Sequence, residues 1–431
     1  MPPQNSTTFA DLGIAPKILE TLNKLGYKNP TPIQAKAIPS GVDGKDMMGI
    51  AQTGTGKTLA FGIPMLQRLA GLKGVGLVVL PTRELALQVD EVFRKIAPGL
   101  GMRGAVLIGG TGMGPQISAL RNKPNIIIAT PGRLIDHLEQ RHVKLDEVKI
   151  LVLDEADRML DMGFAPQLRK ILQHVPTERQ TLLFSATMPP DIVKIAHTFM
   201  HLPTRIEIAP PGTAATNVIQ EGYIVSKEKK AALLHKLLDD YRGSVLVFTR
   251  TKFGAKKIVH HLRNNHHPAA EIHSNRTLNQ RREALDGFKT GRYRVLVATD
   301  IASRGIDVTN IELVINFDLP GQAEDYVHRI GRTGRAGAAG RALTFITPDQ
   351  QRDLRDLERF LKKSLPLLKL PEGLPTPPPP PPSSVHGRDS RPFHPRSNSN
   401  RRFGGGGGGG HGGPGHQRRG GPGNFQRKRW R

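Results

Sequence analysis

Apolar residues along this chain fall into short runs, separated by longer stretches in which they recur every three or four positions. Short runs rich in Val, Ile and Leu predict strands buried on both faces. Gly76–Leu80, Arg103–Ile108, Asn125–Ala129, Ile150–Leu153 and Gln180–Phe184 are such runs, and between them Arg83–Ile96 and Pro131–Gln140 carry helical spacing. The alternation predicts a parallel α/β sheet. It breaks at Ala209-Pro210-Pro211-Gly212-Thr213-Ala214-Ala215, a small, turn-prone stretch with the composition of a linker. The pattern restarts with strands at Val245–Phe248, Ala270–Ile272, Val295–Ala298, Leu313–Asn316 and Arg341–Phe345. Helical runs at Glu228–Asp240, Thr251–Asn264 and Asn279–Lys289 separate them. Two α/β domains follow, 1–208 and 217–370, joined by a linker at 209–216. Leu354, Leu357, Phe360 and Leu361 mark a last helix before residue 371, where the periodicity stops.

Composition changes the picture mainly beyond that point. Residues 371–431 hold 15 of the 47 Gly, 12 of the 35 Pro and 11 Lys/Arg against 2 acids. Pro377 to Pro382 is an unbroken proline run that should be stiff. Arg388–Arg431 mixes Arg and Gly with Phe393, Phe403, Phe425 and Trp430, too little apolar content to fold alone. A disordered basic tail is expected there, able to touch a nucleic acid. The tail carries +9 of the net +25, so the body is basic as well. A polyanionic partner follows, and nucleic acid fits better than a membrane surface because no amphipathic basic helix accompanies the charge. The absence of cysteine excludes a disulfide framework, a thiol nucleophile and a cysteine-based metal centre. No apolar run is long enough to span a bilayer, and MPPQNSTTF lacks the core of a signal peptide, so a soluble, cytoplasmic protein is expected.

The sharpest chemical signal is AQTGTGKT at 51–58. A phosphate-binding loop needs small residues so that backbone N–H groups can wrap the phosphates, a Lys for their charge and a hydroxyl for Mg²⁺. Gly54, Gly56, Lys57 and Thr58 supply these, with Thr53 before the first glycine and Thr55 between the two, although Ala51 stands where a first Gly is usual. A chance Gly-rich strand-to-helix turn is the alternative. ILVLDEAD at 150–157 ends a strand on Asp154 and Glu155, placed to hold Mg²⁺ and to activate a water; alternatively, Asp154 caps a helix.

Asp154-Glu155-Ala156-Asp157 together with AQTGTGKT resembles the DEAD-box RNA helicases. Phe9 and GYKNPTPIQ at 26–34 resemble the family's adenine-reading motif within 7–35. PTRELA at 81–86, Gly109-Gly110 and TPGR at 130–133 resemble its RNA-contacting motifs, and Ser185-Ala186-Thr187 its coupling motif. VLVFTRTK at 245–252, ATDIASRGIDV at 298–308 and HRIGRTGR at 328–335 resemble those of its second domain. The wording DEADRMLDMGF points to the bacterial RhlE-type branch.

The resemblance implies two tandem RecA-like domains using ATP and Mg²⁺ to separate short RNA duplexes. An ATP-gated RNA clamp or chaperone, and a DNA translocase, are the competing readings. It assigns Lys57, Asp154, Glu155, Arg332 and Arg335 to catalysis, with Thr58 and Asp154 on the metal. Phe9, Tyr27, Gln34 and Asp307 would meet the nucleoside; a Gln amide matches the donor and acceptor of adenine. RNA would lie on Thr82, Arg83, Gly110, Thr130, Arg133, Thr249, Arg250, Arg304 and Gly305, with Ser185, Thr187 and His328 coupling the sites. Each such Thr or Arg, taken singly, equally suits a cap or a surface position. A monomer is expected, with ribosomal or RNA-decay proteins as further partners. One departure stands out: Leu278 occupies a position where the family usually has Gln, while Arg281 is kept; Gln280 is the nearest substitute.

Overall fold

The computed structural model describes residues 7–51, 54–208, 218–300, 311–334 and 339–374. Within them, strands β1 (Met47–Ile50), β2 (Val75–Val79), β3 (Gly104–Leu107), β4 (Ile126–Ala129), β5 (Val148–Leu153), β6 (Gln180–Ser185) and β7 (Thr204–Glu207) form one parallel sheet. A second parallel sheet holds β8 (Val218–Ile224), β9 (Val245–Phe248), β10 (Ala269–Ile272), β11 (Val295–Ala298), β12 (Leu313–Asn316), β13 (Gly340–Ile346) and β14 (Leu367–Leu368). The strand orders are β3-β4-β2-β5-β6-β1-β7 and β10-β11-β9-β12-β13-β8-β14, one the other shifted by seven. The chain has therefore built one topology twice.

The helices of the first half are α1 (Pro16–Lys24), α2 (Pro32–Val42), α3 (Lys57–Gly71), α4 (Arg83–Ile96), α5 (Met113–Arg121), α6 (Pro131–Glu139), α7 (Ala156–Asp161), α8 (Ala165–His174) and α9 (Pro190–Phe199). Those of the second are α10 (Lys230–Asp240), α11 (Lys252–Asn264), α12 (Leu278–Lys289), α13 (Ala323–Ile330) and α14 (Gln351–Leu361). Apolar clusters fill both faces of each sheet, as the double-sided hydrophobic strands demand. Register sets the sites: Ile50 lies opposite Ser185 and Val79 opposite Leu153, so the loops leaving β1, β2, β5 and β6 emerge along one edge. Ligands of open α/β sheets bind at that edge.

The apolar runs locate ten of these strands to within two residues, and β1, β7, β8 and β14 are additions. β1 is four residues with a glycine, yet it is paired on both sides, between β6 and β7; a Cβ on Gly49 would come within 2.5 Å of the Phe184 ring. β7 buries one residue, Ile206, and β8 mixes Gln and Glu with apolar positions, so neither reads as a hydrophobic run. The helix expected from Asn279 starts at Leu278, capped by Thr277. Leu374 packs against the second sheet's core, beyond the expected end of the fold at 370. The linker at 209–216 and the proline and Gly/Arg runs lie outside the described residues. Among the described residues, no helix is long and apolar enough to cross a membrane.

Candidate active site and nucleic-acid interface

The loop after β1 turns on Gly54 and Gly56, whose φ angles of 85° and 90° belong to the left-handed region open to glycine. Gly56 is also the N-cap of α3, and a Cβ there would run into the Gln34 amide. The helix N-terminus is thereby left facing the loop, where its amides and dipole favour an anion. Lys57, the first residue of α3, is buried; its Nζ makes no hydrogen bond and stands 3.7 Å from Asp154 Oδ1. A buried ammonium with unmade donors is an orphan that a phosphate group would satisfy. Thr55 and Thr58 are half-buried beside it, and Thr53 lies outside the described residues.

Asp154 follows β5 directly and is 2% exposed. Burial, opposed by Lys57 and reinforced by the Glu155 and Asp157 carboxylates, pushes its pKa up to about 6. Its Oδ1 accepts the Glu155 amide at 2.9 Å, and the N-cap of α7 is Glu155, so Asp154 is not the cap its position also suggested. A buried carboxylate short of positive charge, with the Thr58 hydroxyl in the same loop cluster, is a donor set suited to a hard divalent cation. Glu155 adopts φ 52° and ψ 49°, a left-handed conformation costly for a residue with a Cβ and typical of functional sites.

Asp157 joins this strand end to the next. Its Oδ2 accepts from the Thr187 amide at 2.8 Å, the Thr187 hydroxyl at 2.8 Å and the Ala186 amide at 3.1 Å, while its own amide donates to Ser185 Oγ at 3.2 Å. Asp157 thus ties the Asp154–Glu155 turn to Ser185 and Thr187 by hydrogen bonds. On the opposite side, Gln34 Oε1 accepts the Thr31 amide at 2.9 Å and its Nε2 donates to the Gly56 carbonyl at 3.0 Å, tying α2 to the phosphate loop. Phe9 packs in the core at 4% exposure, whereas Tyr27 is 37% exposed.

The second sheet brings α13 and its arginines to this edge. Arg329 is fully buried and grips both oxygens of Asp300 at 2.6 and 2.8 Å, together with the Asp318 carbonyl at 2.6 Å. It organises the turn; Arg332, in the turn that follows α13, is also buried. Arg158 of α7 lines one small cavity with Asp300, Asp325, His328, Arg329 and Arg332. Residues from both sheets therefore meet beside the Asp154–Glu155 turn. Arg335, Asp307, Arg304 and Gly305 lie outside the described residues.

The expected nucleic-acid contacts follow adjacent strands. Thr82 caps α4, accepting the Leu85 amide at 3.3 Å, and Thr130 is the N-cap residue of α6. The guanidinium of Arg83 covers Gly109 and Gly110; Gly110 has φ 75°, and any Cβ there would collide with Arg83. Arg133 Nη1 donates to the Thr111 carbonyl at 3.2 Å. These residues follow β2, β3 and β4, neighbours in the sheet, and Thr249 and Arg250 follow β9 at the corresponding place in the second. Across the gap, Arg281 Nη2 meets Glu84 Oε2 at 2.8 Å, both side chains nearly buried, and Leu278 joins the apolar cluster of the first sheet. Gln280 caps α12 through the Thr277 amide, which commits its carbonyl to the helix end. Sequence reading assigns no role to Glu84, Asp157, Asp300, Asp318 or Arg329. All but Asp318 sit in the strings quoted above, but what each one holds is set by contacts between distant segments, as Arg329 with Asp300 and Arg281 with Glu84 show.

One topology built twice, with a phosphate loop on the first copy and an arginine run on the second, defines a two-domain nucleotide-driven motor of the helicase class. Residues 31–195 match the DEAD/DEAH box helicase family, and 228–337 match the helicase conserved C-terminal domain. The chain belongs to the DEAD-box ATP-dependent RNA helicases. It is 40% identical over 388 residues to the ATP-dependent rRNA helicase RRP3 of Meyerozyma guilliermondii, covering 89% of this chain and 80% of that protein. It is 43% identical over 367 residues to the DEAD-box ATP-dependent RNA helicase CshA of Bacillus subtilis, covering 84% and 74%. Among solved structures, Mss116p bound to ssRNA and AMP-PNP superposes with a TM-score of 0.78 at 29% identity, covering 86% of this chain and 81% of that one. Dbp5 of S. cerevisiae bound to RNA and ADP BeF3 gives 0.74 at 28% identity, covering 84% and 95%.

Proposed function

We propose that this chain hydrolyses ATP when RNA bridges its two sheets, and uses the cycle to part short RNA duplexes and remodel RNA–protein complexes. The observation that carries the reading is the cavity in which Arg158 of the first half shares walls with His328, Arg329 and Arg332 of the second. Hydrolysis is then complete only when the halves are together. Lys57 and the loop amides grip the phosphates, and Glu155 orients and deprotonates the attacking water. Mg²⁺, held by Thr58 and Asp154, would neutralise charge on the phosphate oxygens. Arg332 and Arg335 meet the charge that grows in the transition state. Gln34, with Phe9 and Tyr27, reads adenine, and Asp307 meets the ribose.

RNA on Thr82, Arg83, Gly110, Thr130 and Arg133 of one half, and on Thr249, Arg250, Arg304 and Gly305 of the other, favours the joined state. ATP and RNA must then bind cooperatively. Asp157 passes the state of the nucleotide turn to Ser185 and Thr187, and His328 does so from the second half. Contact through the backbone and 2′-hydroxyls gives sequence tolerance and preference for RNA. We place the protein in the cytoplasm as a monomer, with ribosomal or RNA-decay proteins as partners. The test is the ATPase rate with no nucleic acid, with RNA and with matched DNA. Stimulation by RNA alone is expected; stimulation by neither supports an ATP-gated clamp, and by DNA a translocase.

A further inference from the structure

The shift of seven between the two sheets gives every strand of the nucleotide site a counterpart in the second half. Lys57 opens the helix after β1, and Lys230 opens the helix after β8. Asp154 follows β5, and Asp318 lies just beyond β12. The second half has thus kept a Lys–Asp pair, its Lys buried and its Asp half-buried, where the first half takes phosphate, with Nζ to Oδ1 distances of 3.1 and 3.7 Å respectively.

The two pairs differ in what surrounds them. Ser226-Lys227-Glu228-Lys229, leading into α10, contains no glycine that could wrap a phosphate. The Lys230 ammonium is saturated from within. It donates to the Phe317 carbonyl at 2.7 Å and to Asp318 Oδ1 at 3.1 Å, and lies 5.4 Å over the Phe317 ring. The other carboxylate oxygen of Asp318 faces the opposite way. It accepts the Thr249 hydroxyl at 2.8 Å and the Arg250 amide at 3.1 Å, while Arg250 Nη2 donates to the Leu319 carbonyl at 3.2 Å. Burial works against the Asp318 charge, but the Arg250 amide, Lys230 and the Thr249 hydroxyl together hold its pKa below the ordinary value. The Asp318 carbonyl, in turn, is held by Arg329.

We propose that the Lys230–Asp318 pair positions the Thr249–Arg250 loop for RNA, the second half having turned its counterpart of the phosphate-binding pair into a fixed mount for an RNA-contacting turn. Lys230 holds the carboxylate; the carboxylate fixes the Thr249 rotamer and the Arg250 backbone; the same residue's carbonyl anchors the turn to Arg329. The pair touches neither ATP nor RNA. This inference rests on the reading of Thr249 and Arg250 as RNA contacts.

Asp318→Asn keeps the shape and removes the charge that orders both donors. In the full chain it should raise the RNA concentration for half-maximal ATPase about tenfold, the order of one charge-assisted hydrogen bond lost. The rate at saturating RNA should stay within about twofold, because no group on the nucleotide changes. Thr249→Val should show a similar rise, and the double variant should be no worse than Asp318→Asn alone. Lys230→Met, which leaves the carboxylate in place without its holder, should move half-saturation in the same direction and serves if Asp318→Asn does not fold. A fall in the saturated rate with half-saturation unchanged, or effects of Asp318→Asn and Thr249→Val that multiply, would overturn the proposal. Arg250→Ala separates the two levels: if it leaves half-saturation unchanged, the RNA reading of the loop fails. If it raises half-saturation while Asp318→Asn and Lys230→Met do not, the mount alone fails.

Discussion

Asp154 is a buried carboxylate that the fold holds at a cost to stability. Its pKa is raised from 3.8 to about 6 because burial disfavours the charge. An acid raised in this way binds its proton more tightly folded than unfolded. Its contribution to stability is therefore most favourable below 3.8 and is lost as the pH rises through 6. Asp154→Asn should consequently abolish hydrolysis while raising the melting temperature of the nucleotide-free protein at pH 7, by up to about 3 kcal/mol of stability. At pH near 4 the gain should vanish, and equal gains at the two pH values would show that desolvation of this carboxylate is not the cause. Asp154 and Lys57 stand out in the sequence because each sits in a contiguous string that follows a strand. Asp318 could not: its partners Lys230 and Thr249 lie 88 and 69 residues away. No local pattern marks a carboxylate whose meaning comes from such partners.

Among the elements, α12 is the one whose sequence and placement disagree most usefully. Its first residue, Leu278, departs from the family's usual Gln and is 7% exposed, counted among the apolar residues of the first sheet's core. Beside it the Arg281–Glu84 pair crosses between the halves at 2.8 Å. Burying a leucine side chain is worth about 1.5–3 kcal/mol, a contribution to joining the halves that needs no RNA. Leu278→Gln should therefore lower the RNA-free ATPase several-fold and raise the stimulation ratio on adding RNA; an unchanged RNA-free rate would remove Leu278 from the closure. Legibility follows the same logic here. Strands hydrophobic on both faces, such as Val295–Ala298, announce themselves. The interior strand β1 does not, because Gly49 must yield space to Phe184 and leaves too short an apolar run. The capping of α12 by Thr277 and Gln280 was readable in principle, but its docking onto the other half was not, since Arg281 and Glu84 are 197 residues apart.

For the whole molecule, the positive charge is shared between the two-sheet body and the segment after residue 374. The packing of Leu374 against the second sheet sets the cut, so a deletion of residues 375–431 leaves the core intact. That segment holds 11 Lys/Arg and one acid, Asp389, hence +10 of the chain's +25. None of the residues assigned to ATP lies in it, and its Arg, Gly and aromatic composition suits charge and stacking without sequence readout. Each phosphate neutralised on a single strand adds about 0.7 to the slope of log affinity against log salt. Deletion should weaken RNA binding most at low salt, flatten the slope by about 3 if four phosphates are lost, and leave the ATPase rate at saturating RNA unchanged. Measuring RNA affinity over a salt series for the full chain and the deletion decides the matter. A flattened slope with an unchanged saturated rate assigns the segment to capture of flanking RNA, and an unchanged slope returns every RNA contact to the edges of the two sheets.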